Sequence, residues 1–286
     1  MDSLSKTLVM VFLLTSMLSI GMQTRFGDIK SVFTSKHLLA RLLAVNFVVL
    51  PLLFILFARM APLAPEVAMA FVLLGCAPGG ISAVQFTSKV KGSLPLAAGS
   101  AFVLSFLAIF ITPLMVRIFL PEELSVAIPY GRVLIFVLSF LLGPMVLGIL
   151  LNHAAPKAAD ALAKPLALIG TLAFVAVVVL IMGIRKQATN AIGTEGVLFM
   201  LVLILLSMAV GWFAGGPDRD TRRIFATASS VRNVALCLII ALESFPDSRY
   251  YVPLVAFSAL MVPPNLIFTA YFLVKDKRAA KHENKD

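Results

Sequence analysis

Apolar residues run through this chain in long blocks, parted by short polar breaks. The blocks fall at about 4–22, 38–58, 65–91, 94–119, 130–151, 164–184, 195–214, 221–243 and 250–273. Each is long enough to cross a hydrocarbon core of roughly 30 Å as a helix. The pattern predicts nine membrane spans, hence an all-α polytopic membrane protein. Two of the blocks are interrupted. The third carries "APGG" (77–80) and the eighth carries "SSVRN" (229–233).

Composition agrees with the pattern. Hydrophobic residues make up 60% of the 286, and only 13% are charged, against about 25% in a soluble domain. The net charge of +10 raises the question of nucleic acid. The basic residues are scattered through loops and the C-terminal tail, with no basic face bearing interleaved aromatics, so anionic lipid is the expected partner and nucleic acid is not. The first block carries Lys6 ahead of a short apolar stretch and is read as a retained span, with a cleavable leader as the alternative. Cys76 and Cys237 lie in apolar context without metal-ligand spacing and read as core residues.

Charge placement orients the spans. With the tail "KDKRAAKHENKD" in the cytoplasm and nine spans, the N-terminus lies outside. Sixteen Lys and Arg then face the cytoplasm and seven face outward, with Arg232 on neither side. This bias is the expected one for an inner, plasma-type membrane. Residues 274–286 form the cytoplasmic basic tail.

The interruptions carry the functional signal. In hydrocarbon, irregular backbone survives only where protein covers it or where it lines a cavity. Pro78 removes a donor, and Gly79 and Gly80 weaken a helix in mid-span. The two broken spans hold matching places in two runs of four, spans one to four (about 4–119) and six to nine. We take 4–119 and 130–273 as two halves. Paired interruptions of this kind point to inverted repeats with a binding site at the midplane. A kink packed on a neighbour is the alternative. Helix N-termini at the breaks would favour an anion.

Arg232 stands inside the second break, nine residues past Arg223 and so about 13 Å deep at 1.5 Å per residue. A central arginine in lipid costs between about 2.5 and 17 kcal/mol, depending on the method. All fourteen Asp and Glu lie in tails, loops or span ends, so backbone carbonyls freed at the breaks are the expected static partners. A purely structural arginine is the alternative to a functional one.

An intramembrane enzyme would need a nucleophile with a base, or a metal. His37, His153 and His282 all fall in loops or the tail, and no intramembrane acid–histidine or Ser–Lys pair can be assembled. No cofactor or metal is expected. A channel would need polar lining along a whole pore, whereas the polar residues here cluster at one depth.

The two broken stretches also carry a resemblance. "LLGCAPGGISAVQFTSKVKGSLPLA" (73–97) resembles the "GCCPGGTASNV"-like stretch of the bile acid:sodium symporter family. "SMLSIGMQ" (16–23), "NFVVLPLL" (46–53) and "TASSVRNVALCLIIA" (227–241) resemble further pieces of that family. The resemblance implies a core domain from spans 2–4 and 7–9 and a panel domain from spans 1, 5 and 6. It also implies two broken helices crossing in the core, and organic anions carried by alternating access. It identifies the chain as a divergent nine-span member. The family's sodium ligands are missing: Ala83 and Val84 stand for its Ser-Asn pair, Ala97 and Ala101 for its hydroxyls, and Ala228 or Ser229 for its glutamate. Arg232 stands for a glutamine, Asn46 for another, and "MVPPN" (261–265) for a polar pair. We therefore expect sodium-independent transport, with Arg232 and Asn46 as the cation surrogate. Sodium- or proton-coupled symport is the alternative, and a polytopic membrane enzyme a remote one. The substrate-contact candidates are Gly79, Gly80, Ser82, Arg232, Asn233, Ser229 and Ser230, with Thr227, Thr87 and Gln85 behind them; for the hydroxyls, bonding to nearby carbonyls is the alternative. The sequence leaves substrate identity and oligomeric state open.

Overall fold

The computed structural model describes residues 3–79, 83, 94–120, 130–184, 190, 192–245 and 250–283. Among these all regular secondary structure is helical, apart from one isolated backbone bridge. We number the helices α1 (Ser3–Gln23), α2 (Phe26–Thr34), α3 (Lys36–Met60), α4 (Pro65–Cys76), α5 (Leu94–Phe119), α6 (130–154), α7 (Pro156–Ile184), α8 (Gly193–Ala214), α9 (Arg219–Ser230), α10 (Val234–Ser244), α11 (Val252–Leu260) and α12 (Val262–Glu283). Among the described residues, six stretches are long and apolar enough to span a membrane: Lys36–Met60, Leu96–Phe119, Leu134–Ala154, Pro156–Val177, Gly193–Ala214 and Val252–Asp276. Thr7–Gln23 and Pro65–Cys76 are shorter apolar helices. The protein is an all-α polytopic membrane protein. The last helix runs on through Glu283, so most of the basic tail is helical rather than loose chain.

Prolines set two local widenings. The amide of Leu50 reaches back five residues to the Val45 carbonyl, and that of Gly143 to the Leu138 carbonyl. Each wide turn lies just before a proline, Pro51 and Pro144. A proline offers no N–H to the carbonyl four residues back, so the ladder shifts by one to pass it. The first of these turns contains Asn46, which is fully buried.

Two groups of helices pack closely. In the first, α1 lies against α6 and α7. Gly21 and Gly148 bring the backbones of α1 and α6 into contact: a Cβ on Gly148 would meet the Gly21 Cα and the Leu18 carbonyl. Gly170 of α7 sits against Thr15 and Ser16 of α1. Small residues at such crossings permit the dense packing that replaces the hydrophobic effect inside lipid. In the second group, α3 packs on α4, α8 on α9, α5 on α2 and α4, and α11 on α4 and α10. Contacts of α7 with α11 and of α6 with α10 join the two groups. Phe54 lies at the centre of the second group, edge-on to Phe71 and Phe257 at centroid distances of 6.3 and 6.0 Å.

At one end of the second group, arginines close the α8–α9 corner. Arg41 donates to the Ala214 carbonyl at 3.3 Å, and Arg222 Nε donates to the Gly216 carbonyl. Asp218 caps α9 through the Thr221 amide and hydroxyl, at 2.8 and 2.7 Å. Those bonds favour the ionised carboxylate and lower its pKa. Arg223 is buried; it forms a two-pronged ion pair with Asp276 of α12 at 2.8 and 2.9 Å and lies 4.4 Å from the Phe272 ring.

Candidate crossing site

Two helices stop at corresponding places. α4 ends at Cys76 and is followed by Ala77 in extended conformation, with φ −90° and ψ 119°. α9 ends at Ser230 and is followed by Val231, also extended, with φ −92° and ψ 96°. The chains then cross, pairing Gly79 with Arg232 in an antiparallel bridge. The Asn233 amide donates to the Pro78 carbonyl at 3.0 Å. Gly79 is required by closeness rather than by φ, since a Cβ there would fall on the Ala228 carbonyl.

A helix end leaves its last four carbonyls without helical donors, and in an apolar core each must find another. At α4 all four are met. The Leu73 carbonyl accepts from the Ala77 amide at 3.0 Å and faces the Cys237 thiol at 3.4 Å. Arg232 meets the next two, through Nε to the Leu74 carbonyl at 2.9 Å and Nη2 to the Gly75 carbonyl at 2.8 Å. Thr112 Oγ1 of α5 donates to the Cys76 carbonyl at 2.9 Å. A guanidinium at this position also lies at the negative end of the α4 dipole.

Its remaining edge is held too. Nη1 donates to Asn46 Oδ1 at 3.5 Å, and the same oxygen accepts the Gly79 amide at 3.0 Å. Asn46 Nδ2 donates back along its own helix to the Leu42 carbonyl at 3.1 Å. One carboxamide thus ties α3 to both the break and the arginine. The Phe54 ring lies 5.4 Å from the guanidinium carbon, within cation–π range. Arg232 is 1% exposed and is the largest fully buried side chain among the described residues.

The α9 end is closed by side chains. Val231 N donates to the Thr227 carbonyl at 3.0 Å, and Ser230 Oγ lies 3.3 Å from that same oxygen. Ser230 Oγ also lies 2.9 Å from Asn265 Oδ1, while Asn265 Nδ2 donates to the Met261 carbonyl at 2.8 Å. Asn233 caps α10, its Oδ1 accepting the Leu236 amide at 3.2 Å. Ser229 is fully buried against Gly211, and among the described residues its hydroxyl has no hydrogen-bond partner.

Of the residues singled out in the sequence, the crossing brings together Gly79, Arg232, Asn233 and Asn46, with Ser229 and Ser230 at the adjoining helix end. Ala83, Ala101 and Ala228, at positions where ligand oxygens were sought, are buried. Gly80, Ser82, Val84, Gln85 and Thr87 lie outside the described residues. Two residues that build the site were missed, Thr112 and Asn265. The available signal was a lone hydrogen-bonding side chain beside proline in an apolar span, Thr112 before Pro113 and Asn265 after Pro264.

The chain is 22% identical over 284 residues to the uncharacterized sodium-dependent transporter YocS of Bacillus subtilis, covering 97% of this chain and 83% of that protein. It is 25% identical over 261 residues to the hepatic sodium/bile acid cotransporter of Rattus norvegicus, covering 86% and 70%. It is 26% identical over 245 residues to the probable chloroplastic sodium/metabolite cotransporter BASS1 of Oryza sativa, covering 83% and 59%. The sequence profile of the sodium bile acid symporter family matches residues 10–191. These relatives are transporters and not enzymes, and this chain is a membrane transporter that belongs to the sodium bile acid symporter family.

Proposed function

We propose that the protein is a secondary transporter of organic anions working by alternating access, and that it does so without sodium. The observation that carries the second half is Arg232. Its guanidinium occupies the crossing and bonds two α4 carbonyls and Asn46. These are oxygens of the kind a bound cation would draw on. A second cation 4 Å away would be repelled by about 4 kcal/mol at an effective dielectric of 20. Ala83, Ala101 and Ala228 offer a metal ion no oxygen from their side chains. Arg232 and Asn46 are the surrogate for a cation, and the crossing is preassembled instead of being assembled by ion binding.

The nine-span arrangement, with the N-terminus outside and the C-terminus cytoplasmic, belongs to this reading, as does the division into two repeats. The close set of α1, α6 and α7 supports a panel, and the set holding both breaks supports a core. Gly79, Gly80, Ser82, Asn233, Ser229 and Ser230 are the proposed substrate contacts, and the unpartnered Ser229 hydroxyl supports a polar guest nearby. A carboxylate or sulfonate suits a crossing where helix dipoles and a fixed positive charge meet. Bile salts or small carboxylates are the substrate classes. Without sodium, an inside-negative potential opposes entry of a monoanion by about 2.3 kcal/mol per 100 mV, so exchange, efflux or uncoupled flux is the mode.

Proteoliposome uptake across a panel of organic anions, in sodium and in choline buffer, tests this. Equal flux in the two buffers is expected. Strict dependence on sodium would overturn the surrogate role of Arg232 and leave the transporter assignment intact.

A further inference from the structure

The last helix has two faces. On one, Phe268 and Phe272 pack on Trp212 of α8 at centroid distances of 6.0 and 5.4 Å, and Asp276 is drawn to Arg223. The opposite face holds an open recess of about 710 Å³ lined by Ile267, Ala270, Tyr271, Val274, Lys275 and Arg278. Residues three, four and seven apart share a helix face, so this set forms one stripe, about 16 Å from Ile267 to Arg278 at 1.5 Å per residue. Ile267, Tyr271 and Val274 are exposed, at 71%, 59% and 50%.

The stripe is graded. Its apolar members and Lys275 lie inside the membrane-spanning stretch, which closes at Asp276, and Arg278 lies just past it. The acidic residue of this turn is turned away by its ion pair, so both ionised members of the recess are positive. Lys275 Nζ lies 5.8 Å from the Tyr271 ring, which sets the ammonium beside the aromatic belt position. A complementary guest has an apolar tail beside Ile267 and Val274 and an anionic head between Lys275 and Arg278. A soluble peptide could not use the part at membrane depth, and a second copy of this basic stripe would repel it.

We propose that this recess is a binding site for one anionic phospholipid of the leaflet from which α12 emerges. The headgroup phosphate takes Lys275 and Arg278, and an acyl chain lies along Ile267 and Val274. Its role is to hold the outer face of α12 while the inner face stays packed on α8. The site is separate from the crossing and does not depend on which anion is carried.

The test is native mass spectrometry of the full-length protein in detergent with phosphatidylglycerol or phosphatidylcholine. The parent should retain phosphatidylglycerol adducts that Lys275→Gln/Arg278→Gln loses at least threefold, with phosphatidylcholine adducts unchanged. Lys157→Gln/Lys164→Gln, which removes the same charge elsewhere, should behave as the parent. Val274→Trp obstructs the acyl-chain path beside Ile267, keeps both charges and should lose the adducts too, which separates a site from diffuse attraction. Soluble glycerol phosphate should not compete. Equal loss in the two charge-removing variants, undiminished adducts in Val274→Trp, or full competition by glycerol phosphate would overturn the proposal.

Discussion

Replacing Arg232 by Gln is the perturbation that reaches furthest into the crossing. The arginine supplies two short bonds, to the Leu74 and Gly75 carbonyls, at a site that is 1% exposed. A hydrogen bond involving a charged group contributes about 1.5–3 kcal/mol, so losing two costs about 3–6 kcal/mol. Gln is shorter and reaches at most one of the two carbonyls, which recovers about 1 kcal/mol. The desolvation of the guanidinium is relieved at the same time, which trims the loss further. A net cost of about 2–4 kcal/mol remains. At about 2–4 °C per kcal/mol for a domain of 150–250 residues, that is a fall on the order of 10 °C in apparent unfolding temperature. Thermal unfolding in detergent, followed by the intrinsic fluorescence of Trp212, reads it. The decisive arm adds salts. In the variant the vacated carbonyls can take a metal ion, so sodium should restore part of the loss and choline should not. The parent should respond to neither. A variant as stable as the parent would refute the capping argument, and a parent stabilised by sodium at low millimolar concentration would refute the surrogate argument.

Three further outcomes follow from the geometry. Gly79→Ala places a methyl on the Ala228 carbonyl; overpacking costs about 1–3 kcal/mol, and transport should fall further than stability, measured as flux per folded protein. Asp276→Asn breaks the pair with buried Arg223 and should lower stability by about 2 kcal/mol, with most of that loss absent in the Arg223→Gln background of a double-mutant cycle. Asp218→Ala removes the α9 cap and should cost about 1 kcal/mol at neutral pH. The bonds from Thr221 lower the Asp218 pKa, so the cap contributes fully above the unfolded carboxylate value of about 3.9. It is lost as pH falls through the lower folded value, and parent and variant unfolding temperatures should converge in that window.

Much of the fold was legible because hydrocarbon imposes few choices. A block of twenty apolar residues must be a helix there, whatever its neighbours, so the six long stretches appear where the hydropathy placed them. The breaks were legible because Pro78, Gly79 and Gly80 fall together and because Arg232 puts a charge in mid-span, whereas lone prolines such as Pro113 and Pro165 stay inside continuous helices. The wide turns at Val45–Val49 and Leu138–Leu142 were not read from the sequence; Pro51 and Pro144 mark the places, but a kink would have relieved the same clash. What the sequence could not give was pairing across distance. Break carbonyls were the expected partners of Arg232, and it does bond two of them, but nothing in "LLGCAPGG" says that they would be those of Leu74 and Gly75, 158 and 157 residues away, or that Thr112 on the next helix would take the one after.

The bond lengths around Arg232 rank its roles. Its bonds to two carbonyls and Asn46 already use both faces of the fork that a carboxylate would approach side-on, so a substrate could claim the charge only by breaking a carbonyl bond. Asn46 is the group with slack: its bond to Arg232 is 3.5 Å, against 2.8 and 2.9 Å for the carbonyls. An arriving anion would therefore displace Asn46 from Nη1 at little cost and leave the α4 cap intact. On the proposed reading that the anion reaches the crossing, Asn46 is then the residue whose bond to Arg232 it would replace. Asn46→Ala should then weaken anion affinity while leaving the unfolding temperature closer to the parent than Arg232→Gln does; the reverse order would place the sensing on the arginine itself.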